Sequence, residues 1–289
     1  ARVLNMSSSR IDTLRLGELP ALTLHLGEAR ATLTPFGAQV LSWIPEDGQE
    51  RLYLSESAAL GGAQPIRGGI PIVFPQFGTL GPGARHGFAR THTWRIDETR
   101  QGEDYVLVTL QLDPSLLEPG ARTAFPHDFL AEVTVLLSER RLDVELAVRN
   151  TGTAPFAFTA ALHTYLAVPE IERSALQGLG GSEYTDPADP SRWHAEPENV
   201  TRLEPPLDRL YRGGERVLTL ATPTLRTEIA QAGFGETVLW NPGEHGPADL
   251  PAGAWRHFVC IEAAQASVPV SLRADEEWAG RQALMLPER

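Results

Sequence analysis

Residues 142–149 read LDVELAVR: Leu142, Val144, Leu146 and Val148 alternate with Asp143, Glu145 and Arg149. Successive side chains of a strand point to opposite faces, so this period of two predicts a strand with one apolar and one polar face. A helix would bring apolar residues together every three or four positions instead. Similar short runs recur at 22–26, 39–43, 105–112, 129–137, 156–168, 217–220, 225–230, 237–240, 257–263, 268–272 and 282–286. Turn-forming clusters such as EDGQE, RNTGTAP and RGGER separate them. No segment keeps a helical period over three turns, and DPSLLEPG offers a single short turn. Many short strands without helices predict an all-β chain, folded as an antiparallel sandwich or barrel. The polar stretch GGSEYTDPADPSRWHAEPEN reads as a long surface loop, because strand patterns resume beyond it. There is no repeat, no Gly/Ser linker and no break in composition. Residues 6–289 therefore read as one domain, and residues 1–5, ahead of Met6, as an extraneous leader.

The chain has 289 residues and 42% hydrophobic content, enough to bury a substantial core. Acidic residues outnumber basic ones, 37 to 25, for a formal charge of -12. That excess argues against nucleic acid or an anionic membrane as partner. An anionic ligand would need a local positive cluster. Every basic residue is arginine, so lysine Schiff-base chemistry is excluded. The lone Cys260 forms no internal disulfide and sits in an apolar run as a small core residue. No apolar run approaches the roughly 18 residues of a membrane span, and no signal-peptide pattern is present. A cytoplasmic protein is expected, and a monomer.

Four places stand out for chemistry. Residues 65–78, PIRGGIPIVFPQFG, surround the single charge of Arg67 with prolines, glycines and large apolar residues. So much proline argues against a core strand, and so much apolar surface argues against a solvent loop. RHGFARTHTW follows with Arg85, His86 and Arg90, joined to the first segment by the flexible-looking GTLGPGA. Guanidinium forks suit bidentate binding of phosphate or carboxylate, although surface arginines paired with acids are the commoner case. His163 lies within the apolar ALHTYLAV and Glu262 within HFVCIEAA. A lone histidine there is more often a hydrogen-bonded core group than a catalyst. A carboxylate so placed is costly unless paired, or else turns to solvent. The histidines show no ligand spacing for a metal. There is no G-x-S-x-G elbow, Walker loop or G-x-G-x-x-G, so no metal or cofactor is expected.

Taken in order, PIRGG, PQFG, HGFAR, ALHTYL, GLGGSEYTD, LDRLY, LWNP, FVCIEAA and EEWAGRQAL resemble the hexose-6-phosphate mutarotases, or glucose-6-phosphate 1-epimerases, of the aldose 1-epimerase superfamily. The resemblance runs along nearly the whole chain. It implies a galactose-mutarotase-like antiparallel β-supersandwich, with His163 and Glu262 as the catalytic pair. Arg67 and Arg90 match positions that bind substrate, phosphate included. Asp208 in LDRLY matches an acid that binds the sugar, and His86 a histidine lining the pocket. Arg85, Leu166 and Gly243 depart from the residues common in relatives, and Gly243 is expected to reshape one pocket wall.

The implied small-molecule substrate is a hexose 6-phosphate. Opening its ring needs a base on the C1 hydroxyl and an acid on the ring oxygen, without metal or cofactor. Glu262 as base and His163 as acid fit, with Glu262 ionised and His163 protonated at rest. The alternatives are an epimerase of unphosphorylated sugars and a non-catalytic carbohydrate-binding sandwich. The arginines separate the first from a phosphosugar enzyme, and the acid/base pair separates an enzyme from the second.

Overall fold

The computed structural model describes residues 8–288, and the supposed leader lies outside them. Its strands form three sheets whose ladders run antiparallel. The first is a four-stranded meander of Ser9–Leu16, Leu19–Leu26, Ala29–Thr34 and Gln39–Ile44. It packs on a nine-stranded sheet in which Arg141–Asn150 lies between Phe129–Leu137 and Glu277–Met285. Within that strand Leu142, Val144, Leu146 and Val148 are buried, as their period requires. Asp143 departs from it and is buried too. Arg141 clasps its carboxylate through Nε and Nη2 at 2.6 and 2.7 Å, and Arg281 approaches at 3.6 Å. Paired guanidiniums satisfy a carboxylate that water no longer reaches.

One buried cluster joins the three sheets: Leu24 and Leu33 from the first, Val133 and Leu146 from the second, Leu239 and Ile261 from the third. Each such side chain contributes about 1.5–3 kcal/mol on burial. Between the second and third sheets a polar rivet also forms. Gln282 donates to the carbonyl of Ile261 at 3.0 Å and accepts from the Thr164 hydroxyl at 2.5 Å.

The third sheet has eight strands. Its path runs Asp189–Ala195, Glu183–Asp186, Leu207–Arg212, Glu236–Asn241, Phe258–Leu272, Phe156–Leu162 and Ile72–Val73, with Tyr165–Ala167 also paired to Phe258–Leu272. Two expected runs, 257–263 and 268–272, merge here into one 15-residue strand. The expected run 156–168 is instead two strands, broken at His163 and Thr164. Residues 65–71 cause the break by capturing its amides: His163 N–H donates to Pro71 O at 3.0 Å and Tyr165 N–H to Gly69 O at 2.9 Å.

The polar stretch expected to be a loop holds the hairpin of Glu183–Asp186 and Asp189–Ala195. Tyr184 stacks on His194 and packs on Tyr211, so aromatic cross-strand contacts outweigh the low apolar content. The short turn expected at DPSLLEPG is a 3₁₀ turn, Pro114–Leu116, followed by the α-helix Pro119–Ala124. No described helix is long and apolar enough to cross a membrane.

Candidate active site

The segment 65–71 is held as tightly as its composition implies. The side-chain amide of Gln39 donates to the carbonyls of Ile66 and Gly68 at 3.2 and 2.7 Å. Gly69 N–H donates to Tyr53 O at 2.7 Å. Gly68 and Gly69 have φ of 118° and 61°, and a Cβ on them would come within 2.4 Å of Tyr53 O and 2.1 Å of Val40 O. Only glycine fits there, so the backbone around Arg67 has one shape.

GTLGPGA, expected to be a flexible connection, is pinned. The Gln76 side chain accepts from Gly83 N–H at 2.8 Å and donates to the carbonyls of Gly78 and Gly83. His86 N–H donates to Gly78 O at 2.9 Å, while Gly78 N–H donates to His86 Nδ1 at 3.1 Å. The second bond fixes the tautomer: Nδ1 accepts, so the neutral ring carries its proton on Nε2.

These segments and the third sheet enclose a cavity of about 720 Å³. Every residue expected from the sequence lines it: Arg67, Arg85, His86, Arg90, His163, Asp208 and Glu262. Glu262 comes from Phe258–Leu272 and Asp208 from a strand two removed, through Val238 and Trp240. His163 stands at the strand break, its ring stacked on Tyr165 at 5.0 Å and edge-on to His86 and Trp240. His163 Nδ1 lies 3.3 Å from Glu262 Oε1. That nitrogen and Glu262 Oε2 have no hydrogen-bond partner. Two buried polar atoms left unpaired beside a cavity are poised for a ligand's hydroxyls.

Burial acts against the expected ion pair. Burial, then His86, Arg90 and Arg67, push His163 well below the ordinary imidazole value. Burial, then Asp208, push the Glu262 carboxyl well above its own, with Arg90 and Arg85 opposing. Burial disfavours the charged form of each group. Both shifts favour a neutral imidazole facing a protonated carboxyl. Around them, His86 is pushed down to about 3 by burial and three arginines, and stays neutral. Asp208 is pushed up to about 6 by burial and Asp186. Arg90 is lowered to about 10 by burial and by Arg67, which marks a strongly positive cavity wall. Its Nη2 donates to Arg85 O at 2.9 Å, and its buried Nε has no partner.

The sequence reading missed Trp240, Tyr165, Cys260 and Asp249. Tyr165 stands two residues from His163, and Cys260 two from Glu262, so strand periodicity already put each on its neighbour's face. Asp249, which pairs with Arg67 across 182 residues, has no local signal. Gly243, expected to reshape a pocket wall, packs against Pro206 instead and does not line the cavity. His163, Cys260 and Glu262 present ligand atoms within 4.8 Å of one another, a set that could hold a metal ion. An ion there would occupy both proton-carrying groups.

Known proteins place this chain. The aldose 1-epimerase family model matches residues 20–285. A Cenchrus ciliaris protein named "Putative glucose-6-phosphate 1-epimerase" is 30% identical over 259 residues, 86% of this chain and 79% of its own. An Escherichia coli (strain K12) protein of the same name is 28% identical over 275 residues, covering 92% and 90%. The crystal structure of a "putative mutarotase (YeaD)" from Salmonella typhimurium superimposes with a TM-score of 0.85 at 25% identity, covering 96% of this chain and 94% of that one. The chain thus belongs to the aldose 1-epimerase family, and is an isomerase that interconverts sugar anomers.

Proposed function

We propose that the substrate is a hexose 6-phosphate, glucose 6-phosphate above all. In this reading His163 and Glu262 are the acid/base pair, and Arg67, Arg85 and Arg90 grip the phosphate. One observation carries it: three guanidiniums converge on the cavity that holds the buried pair. In a chain of net charge -12 such a cluster needs a reason, and a dianion supplies one. The names of the relatives support the same substrate class.

The chemistry needs one proton moved at each of two oxygens. Passing the carboxyl proton from Glu262 to His163 yields carboxylate and imidazolium without changing the net charge. The carboxylate then takes the proton of the C1 hydroxyl while His163 delivers one to the ring oxygen. Rotation about C1–C2 and the reverse transfers close the ring on the other face. The bound phosphate helps twice. It anchors the sugar, and it offsets the arginine charges that disfavour an imidazolium. Asp208 accepts from sugar hydroxyls, the His86 Nε2–H donates, and Trp240 offers an apolar face; together they limit the sugar's orientations.

The test is anomer exchange by NMR or polarimetry on α-glucose 6-phosphate and α-glucose side by side, each above its spontaneous rate. A higher kcat/KM for the phosphorylated sugar is expected. Equal values would leave an epimerase of neutral sugars.

A further inference from the structure

We infer that Asp249 is a positioning residue: with Tyr165 it holds the Arg67 guanidinium in the one orientation that receives a phosphate, and so sets phosphosugar specificity. The inference rests on the phosphate reading above and goes beyond it. Arg67 Nε donates to Asp249 Oδ1 at 3.0 Å, and Nη1 donates to the Tyr165 hydroxyl at 2.9 Å. A guanidinium has five N–H donors. Two are engaged from two sides, and the remaining edge is left for a ligand.

Both ends of the Arg67–Asp249 pair are anchored to one residue. Ser55 N–H donates to Arg67 O at 3.0 Å, and the Ser55 hydroxyl donates to Asp249 O at 2.7 Å. Asp249 arrives on the segment whose Pro247 lines the cavity, while Leu250 packs on the cluster of Tyr165, Phe258 and Cys260. The tyrosine is 1% exposed and its ring lies 11° from parallel to that of His163. Arg67 is therefore indexed to the acid/base pair, not only to the loop that carries it.

Electrostatics explains why a carboxylate is needed. Burial and then the charge of Arg67 lower the proton affinity of Arg90, and Asp249 opposes them. Without a counter-charge, repulsion from Arg90 would favour other orientations of Arg67. Asp249 supplies that charge and does not itself line the cavity. A preorganised fork loses less freedom on binding than one that must be gathered.

The experiment compares Arg67→Ala, Asp249→Ala, Asp249→Asn and Asp249→Glu. For each, kcat and KM are measured with glucose 6-phosphate and with glucose, the Kd of inorganic phosphate by calorimetry, and folding by thermal melt. Asp249→Ala and Asp249→Asn should raise the phosphosugar KM and the phosphate Kd on the order of tenfold, as losing an orienting partner behind a metal ligand does. The phosphosugar kcat and the glucose constants should change much less, and Asp249→Glu should recover part of the loss. If Arg67→Ala lowers both sugars equally, the phosphate reading itself fails. If Arg67→Ala is selective but folded Asp249→Asn matches wild type, or harms both sugars alike, the positioning role is overturned. Asp249→Asn decides even where Asp249→Ala does not fold, since it removes only the charge.

Discussion

Replacing Glu262 with Gln separates the chemistry of this carboxyl from the consequence of burying it. The side chain is 1% exposed, and Gln fills nearly the same volume, so packing should survive. Losing one acid/base group lowers anomer exchange about 10²- to 10⁴-fold, or about 2.7–5.4 kcal/mol of barrier. Stability should move the other way. Burial raises the Glu262 carboxyl well above its ordinary 4.5. Above that value the unfolded chain ionises this group while the folded chain keeps its proton. The stability it contributes is therefore full below the unfolded value and is lost as pH rises through the folded one. The slope is at most about 1.4 kcal/mol per pH unit for one proton. Gln has no such slope, and His163 is common to both chains. Glu262→Gln should thus melt at or above the wild-type temperature, with a gap that widens as pH rises from about 5 upward. Exchange NMR and melts across that range measure both. A folded variant with near wild-type exchange would remove Glu262 from the mechanism. A gap that narrows as pH rises would mean the buried carboxyl is ionised.

Replacing Asp208 with Asn should abolish an inflection near pH 6 in kcat/KM for unphosphorylated glucose, because Asp208 ionises at about 6 and its carboxylate accepts from the sugar. Persistence of that inflection in the variant would assign it to His163, against the depressed imidazole described above. Arg90→Ala should lower kcat/KM for glucose 6-phosphate by about 30-fold to several thousandfold, the effect of 2–5 kcal/mol for a lost partner of a desolvated anion. Arg90→Lys should recover only part, since a point charge cannot reproduce the fork; an equal loss on glucose would refute the contact. Prolonged chelation should leave anomer exchange unchanged, because the proton transfers need only side chains. Loss of activity restored by one specific metal would instead assign a working role to the set His163, Cys260 and Glu262.

Strand alternation made the fold class legible from segments such as 142–149, and the placement of Glu262 on a strand followed, whereas His163 falls at a break between two strands. What alternation could not register is where partners come from elsewhere in the chain. The break at His163 depends on carbonyls of residues 65–71, and the hairpin at 183–195 on aromatic pairs with Tyr211. The site residues were legible mainly through the order of motifs, which carries spatial information that composition lacks. Protonation was not legible at all. An ion pair is the natural reading of a histidine facing a glutamate; burial of both groups acts against it, with His86, Arg90 and Arg67 at the histidine and Asp208 at the glutamate.

The cavity has a floor of strands and a rim of connections. Glu262 and Trp240 sit on hydrogen-bonded strands at the middle of a sheet, whereas Arg67, Arg85, Arg90, Pro187 and Pro247 arrive from turns around it. Divergence acts unequally on two such parts. On the proposed reading, a change in the floor would shift ladder register and the acid/base groups together. A change in the rim would alter which substituent at the far end of the sugar is welcomed, and leave ring opening intact. Selectivity can therefore be lost, regained or exchanged between descendants one connection at a time, while the reaction itself is inherited whole.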